Sequence, residues 1–443
     1  MYTFRIENDL DSFENFVKAH GGQYLQSAKW PQVKLDWKPY FYAGFKDCEC
    51  VLTALILERS FAGVKLWYCP AGAVCDYDNA QLLNEFADFM TAELKKNGVA
   101  ALFFDPCITL RKNGETDDNG VRTHERLLQA GFRLQPDAAA CIYKAPWQLM
   151  TALRDENGTA FTPAQMLKKF EKGVRYSVRI GEQRGLIYRS YGAQEAKADP
   201  RIAEDFADIM RDTGERNDFL ERNENYVLRL MEVFGKDEME LTIVYYDREK
   251  DAQMQADRLA RKAQLEKDLE TAPEKKKRGI TEEIDSIDKQ TVHYEERLRQ
   301  TQDIPAGLIA VAGGLTVHYN GLSSCLFGGA KNLLRNNFRS SHYLNYIRLC
   351  KSIELGNDFH DLGYVLPKKT EPTSDGLLAK CEPREDFEGI LAFKKSFAAD
   401  EYEYIGEYVL VGNKTAYLAY SKLMPTAKKV KKTVFSVLRK GRS

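Results

Sequence analysis

The sequence predicts an α/β protein of two successive units, with a long antiparallel coiled-coil arm set into the second. Three observations carry this. Short apolar runs alternate with helical stretches. The pattern then restarts, giving two units of about 150 residues each. A charged hairpin interrupts the second: from Lys250 to Asp303, 25 of 54 residues are charged, with the signs almost balanced.

The first unit opens with a helix over Leu10–Ala19. Strands follow at Phe41–Phe45, Cys50–Leu57, Lys65–Cys69 and Ala100–Phe104, with helices at Asn79–Asn97 and Arg122–Ala130. In the second unit the expected helices are Ala164–Arg184, Ile202–Thr213 and Tyr226–Phe234. A strand at Glu240–Tyr246 leads into the hairpin. Strands at Ile304–Ala312, Leu315–Tyr319 and Leu322–Phe327 and a helix at Ser341–Leu355 come after it. Because strands flank it on both sides, the hairpin reads as an insertion. The boundaries expected are 1–147, completed by 398–425, for the first domain and 148–397 for the second. The arm spans 250–303.

Within the arm, Ile280, Ile284, Ile287, Thr291, Tyr294 and Leu298 recur at 4-3-4-3-4 spacing, one stripe of a helix. Ala252, Ala256, Leu259, Ala263 and Leu269 offer a weaker matching stripe. Thr271–Gly279 reads as the turn, since Pro273 cannot continue a helix interior and Gly279 tolerates a bend. Two helices of about 20 residues make a rod of roughly 30 Å. The tip carries Lys275, Lys276, Lys277 and Arg278, which suggests contact with a large polyanion such as tRNA. A solvated spacer or a dimer contact is the alternative.

Composition excludes several classes. A hydrophobic content of 44% in 443 residues is ample for packed cores. Lys+Arg 64 against Asp+Glu 65 gives a net charge of −1, so basic surfaces are local. The first residues lack the apolar core of a signal peptide, and no run of 18 apolar residues would span a membrane. Nine scattered cysteines with no C-x-x-C pair argue against zinc or a disulfide framework and fit a reducing cytoplasm. After Pro425 come seven basic residues and no acid, interleaved with Val430, Val434, Phe435, Val437 and Leu438. Residues 426–443 therefore read as a basic amphipathic tail suited to the inner membrane surface, or else as a solubilising one.

Several separated motifs occur in order. Gln26-Ser27 precedes Trp30, Val33 and Lys34. Tyr68-Cys69-Pro70-Ala71-Gly72 and Phe103-Phe104-Asp105-Pro106 follow. Thr213-x-x-Arg216-x-x-Phe219-x-x-Arg222 has Tyr226 four residues on. Then come Phe327-Gly328-Gly329, Asp361-Leu362-Gly363, Phe393-Lys394 and Tyr404-x-Gly406-Glu407. Together they resemble the Fem-type non-ribosomal peptidyltransferases (the FemA, FemB, FemX and MurM group) over roughly residues 1–422.

The resemblance implies two acetyltransferase-like domains and a tRNA-synthetase-like arm. It implies a cytoplasmic enzyme that moves an amino acid from aminoacyl-tRNA to a peptidoglycan precursor, lipid II or its UDP-linked form, with no metal or cofactor. It places Lys394 at the reaction centre and Asp105 as a candidate base. Lys34 and Arg222 match phosphate-holding positions, Tyr226 a precursor contact. Arg216 and Phe327 lie in motifs facing the same substrate, and the arm's tip faces tRNA. Association with itself or with related enzymes is a further expectation. Two departures stand out: Phe327 replaces a frequent tyrosine, removing a hydroxyl, and Gly72-Ala73 replaces glycine–proline.

The chemistry is consistent with those residue types. An aminoacyl ester is already activated, so amine attack needs orientation, a neutral amine and a stabilised oxyanion. No Ser/His/Asp or Cys/His arrangement is visible. An acetyltransferase-like enzyme using another acyl donor, such as acyl-CoA, is the first alternative; a non-catalytic tRNA- or membrane-binding scaffold is the second.

Overall fold

The computed structural model describes residues 1–135, 145–217, 224–369, 372–374 and 376–423. Arg222, Phe219, Cys141 and the tail at 426–443 lie outside them. The chain divides into two compact units. The first comprises Met1–Met150, Tyr364–Ala392 and Asp400 onward; the second is Thr151–Gly363 with Phe393–Ala399.

Unit one begins with β1 (Thr3–Ile6), α1 (Leu10–Ala19), β2 (Lys38–Lys46), β3 (Glu49–Phe61), β4 (Val64–Cys69), β5 (Val74–Cys75), α2 (Ala80–Asn97) and β6 (Ala101–Phe104). It continues through β7 (Thr109–Lys112), β8 (Glu115–Thr116), α3 (Asp118–Gln129), β9 (Arg133–Leu134) and β10 (Trp147–Ala152). Strands β1 to β4 form an antiparallel meander, and α2 then crosses over so that β6 lies parallel to β4. Helix α2 starts where the Asn79 side chain accepts from the Leu82 N–H and stops at Gly98 in the left-handed region. Its Leu82, Phe86, Met90 and Leu94 pack with Trp67, Leu102 and Phe104 in one core.

Unit two contains α4 (Pro163–Lys169), α5 (Lys172–Gln183), β11 (Leu186–Tyr191), α6 (Ala193–Ala198), α7 (Pro200–Asn217), α8 (Glu224–Phe234) and β12 (Met239–Asp247). After α9 (Arg248–Thr271) and α10 (Glu274–Thr301) come β13 (Leu308–Tyr319), β14 (Leu322–Ala330), α11 (Arg335–Phe338), α12 (Ser340–Glu354) and β15 (Phe359–Tyr364). The plan of unit one recurs: β11 to β14 form an antiparallel meander, and a helix, here α12, returns the chain to a parallel strand, β15. Helix α13 (Glu388–Lys395) and strands β16 (Asp400–Tyr404) and β17 (Tyr408–Val411) end the fold, the two strands in unit one.

Three local expectations fail. Ala164–Arg184 is two helices, because Phe170 turns extended to bury its ring against Phe397. Ile304–Ala312 and Leu315–Tyr319 are not separate strands: β13 runs through Gly313-Gly314, where Phe206, Ile209 and Arg348 fill the space a side chain would take.

The third concerns the arm. Helices α9 and α10 pair as an antiparallel rod, and α10 alone is about 42 Å long. The turn is only Ala272-Pro273, so Lys275–Gly279 are already helical. The facing stripe of α9 sits one residue from the expected one: Asp251, Gln255, Arg258, Lys262 and Leu265, while Leu259 is 47% exposed. Hydropathy points the wrong way because the seam is largely polar. Arg297 and Asp251 form a fully buried bidentate pair at 2.8 and 2.9 Å, and the Tyr246 hydroxyl donates to Asp251 at 2.8 Å. Gln255 donates to Thr291 at 2.7 Å and Lys262 pairs with Asp288. On α10 the stripe is as expected from Ile280 to Tyr294, with Ile287 buried, but Leu298 is 38% exposed.

Candidate active site

Strands β14 and β15 are parallel only from Leu322–Ser324 against Phe359–Asp361. Beyond Ser324 they part. A bulge causes this: Thr316 pairs with Cys325 and Leu315 with Phe327, so Leu326 is extra. Arg348 on α12 holds the bulge from below, donating to the Thr316 hydroxyl at 2.7 Å and the Leu315 carbonyl at 2.8 Å. Its guanidinium fits because residues 314 and 328 are glycine: a Cβ there would lie 2.7 and 3.1 Å from Nη1.

Lys394 reaches this opening. A Cβ on Gly363 would sit in ordinary contact, 3.4 Å from Lys394 Nζ and 3.6 Å from the Cys325 carbonyl oxygen, which places the ammonium group beside both strands; glycine is needed here for its φ of +88°. Burial pushes the Lys394 pKa down to about 8, while the Asp361 carboxylate and then Cys325 oppose the shift. Asp361 is itself fixed by accepting from the Gly363 N–H at 2.7 Å. The end of α13 is clamped as well. Phe397 is fully buried, its carbonyl accepts from Thr151 at 3.1 Å, and His342 packs edge-on against Phe393 at 4.9 Å. Behind the opening Cys325 Sγ lies 3.3 Å from His360 Nε2, and Ser352 Oγ lies 2.7 Å from Nδ1. Burial keeps His360 neutral, its pKa well below the usual range.

Arg216 and Phe327 belong to a second corner of unit two. Arg216 donates to Asn332 at 2.8 Å and to the Ala330 carbonyl at 3.2 Å. Thr213 accepts from the Ala330 N–H at 3.1 Å, and a Cβ on Gly329 would lie only 2.2 Å from its hydroxyl. The Thr213 and Gly-Gly motifs thus interlock. Tyr226 stands edge-on to Phe327 at 6.4 Å. Phe327 also lines a small apolar pocket with Phe206, Met210, Val227, Met231 and Leu241.

The first-unit motifs form their own network. Gln26, fully buried, donates to the Pro70 carbonyl at 2.6 Å and accepts from the Leu55 N–H at 2.8 Å. Asp105 is buried and accepts from the Tyr68 hydroxyl at 2.8 Å and the Ala71 N–H at 2.7 Å. Both its oxygens therefore hold the loop that Gly72 turns, with φ +75°. Lys34 lies over the Trp30 ring at 4.8 Å. On the arm, Lys275, Lys276, Lys277 and Arg278 occupy the first turns of α10, where Lys277 pairs with Glu274 and Arg278 with Glu282, both at 2.9 Å.

Sequence motifs located Lys394 and the neighbouring Asp361-Leu362-Gly363. They gave no sign of Cys325, His342, His360 or Arg348, whose contacts arise from strand register and helix packing. Among the described residues no His/Cys/Asp/Glu group could hold a metal, and no helix is long and apolar enough to cross a membrane.

Repeating a meander, a helical crossover and a parallel strand in both units makes this a tandem acetyltransferase-like α/β protein with an inserted arm. The model of the FemAB family matches residues 9–424, and the chain belongs to that family of aminoacyltransferases. It is 25% identical over 432 residues to a lipid II:glycine glycyltransferase of Staphylococcus aureus (strain MSSA476), covering 94% of each chain. The strain USA300 protein of the same description is 25% identical over 431 residues. A crystal structure of FemX shares the fold, with TM-score 0.71 and 23% identity over 95% of this chain and 99% of that one.

Proposed function

We propose that this enzyme moves an amino acid from aminoacyl-tRNA to an amine of a peptidoglycan precursor, on the stem peptide or a growing cross-bridge of lipid II or its UDP-linked form. The carrying observation is the ammonium group of Lys394 set into the opening between β14 and β15, beside Asp361. The acceptor amine attacks the ester carbonyl, whose oxygen gains negative charge. Lys394 donates a charged hydrogen bond to that oxygen, and the tRNA ribose oxygen leaves with the electron pair of the broken ester bond. The amine's proton passes to solvent or to the leaving oxygen.

In this reading Lys34 and Arg222 hold precursor phosphate, and Tyr226, Arg216 and Phe327 border the precursor. Asp105, the candidate base, also shapes the Tyr68–Gly72 loop through the hydrogen bonds it accepts from the Tyr68 hydroxyl and the Ala71 N–H. The arm's tip engages the donor RNA. Residues 426–443 serve as a peripheral tether to the inner face of the membrane, where a lipid-linked acceptor resides.

Lys394→Met should lower transfer by about 10²–10³ while precursor binding persists. A variant within threefold of wild type would remove Lys394 from the chemistry. The rod of about 42 Å favours this donor over acyl-CoA, which needs no such reach.

A further inference from the structure

Helix α5 separates its residues cleanly. Val174, Ser177, Val178 and Gly181 are buried, whereas Lys172, Arg175, Tyr176 and Arg179 face solvent at i, i+3, i+4 and i+7. Lys168 adds a further cation at the end of α4. From residue 163 to 180 there are five Lys/Arg and a single carboxylate, Glu171. None of the five forms an ion pair with a carboxylate among the described residues. Elsewhere on this surface many cations are paired, including two at the arm's tip.

Tyr176 is 48% exposed at the centre of the face, with the Arg179 guanidinium 5.6 Å from its ring centre. Cations that find no carboxylate, around an exposed ring, suit phosphates and unstacked bases together. Arg175 is also fixed in place, donating to the carbonyls of Lys168 and Phe170.

The ends of the helix give the face a direction. The Glu171 N–H just before α5 donates to the Ser396 carbonyl at 3.0 Å, two residues past Lys394. At the other end the Gln183 carbonyl accepts from Arg258 at the base of α9. The helix therefore runs about 18 Å from the Lys394 segment to the foot of the arm.

We infer that this face, with Lys168, Lys172, Arg175, Tyr176 and Arg179, is a track for the single-stranded 3′ end of the donor RNA, leading it from the arm to Lys394. The inference rests on the RNA-donor reading above. Phosphates run along the cations while one base stacks on Tyr176.

The test uses full-length protein and a 3′-labelled RNA hairpin with four unpaired 3′ nucleotides, read by fluorescence anisotropy between 50 and 200 mM salt. Lys172→Glu/Arg179→Glu should weaken binding at least tenfold and flatten the salt slope by about 1.4, two phosphates at 0.7 each. Tyr176→Ala should weaken binding about fivefold or more, Tyr176→Phe should restore it, and a blunt hairpin should not distinguish Tyr176→Ala from wild type. Lys172→Gln/Arg179→Gln provides a gentler variant if the charge reversal alters the melting curve. Wild-type protein that binds no RNA would defeat the donor reading and this inference together. Wild-type binding that is unchanged in all these variants overturns the track alone. So does loss of binding to phosphatidylglycerol vesicles with RNA binding intact, which would make the face a membrane contact.

Discussion

At the residue scale, Lys394 and Gly329 show how a short motif acts through space. Lys394 has its pKa lowered to about 8 by burial, against the pull of Asp361. If its charged form works, transfer falls as pH rises through about 8, since deprotonation removes the cation. Lys394→Arg should keep part of the activity and abolish that falling limb, and Asp361→Asn should move the limb to lower pH. Rates between pH 6 and 9.5, measured with saturating precursor, decide this; an unchanged limb in Lys394→Arg would assign it to another group. Gly329 meets Thr213 so closely that Gly329→Ala must displace one strand end or the helix. Urea unfolding should show a loss of about 1–3 kcal/mol. The sequence displayed both motifs as letters. It did not show that they interlock, because 116 positions separate Thr213 from Gly329 and only the meeting of α7 with β14 brings them together.

The elements themselves were readable where apolar periodicity was strong. Helix α1 at Leu10–Ala19 was placed to the residue, and β3, β4 and α2 within a few positions. Apolar spacing misled where polar groups fill a seam, as on the inner face of α9, where Asp251, Gln255 and Lys262 stand in core positions. Those residues dominate the arm's anchoring. Arg297→Met removes the bidentate partner of the buried Asp251 and leaves it only Arg258 at 3.9 Å and the Tyr246 hydroxyl, so it should cost about 3 kcal/mol in thermal unfolding. Asp251→Leu/Arg297→Met, which removes both charges, should recover most of that loss. A single variant that melts like wild type would mean the base of the arm admits water. Replacing residues 252–301 with a Gly-Ser turn should weaken use of aminoacyl-tRNA and leave precursor binding intact. Equal KM for charged tRNA with and without the arm would make it a spacer.

For the whole molecule, the repeated plan of meander, crossover helix and parallel strand explains why one chain carries two similar units and only one Lys394. The second unit opens at β14/β15 around a lysine, whereas in the first the corresponding β4 and β6 stay paired from Leu66–Ala101 to Cys69–Phe104 and lead into the loop fixed by Asp105. Alternating patterns made the duplication visible in the sequence. The opening was not, because one bulge residue, Leu326, sets it, and a bulge leaves no periodic trace. The central claim is amino-acid transfer from charged tRNA to a peptidoglycan precursor. The direct measurement offers lipid II with a panel of separately charged tRNAs and reads the product by mass. The account predicts one added amino-acid residue with at least one of the charged tRNAs and none from the matching acyl-CoA. No mass gain with any charged tRNA, or gain only from an acyl-CoA, would contradict it.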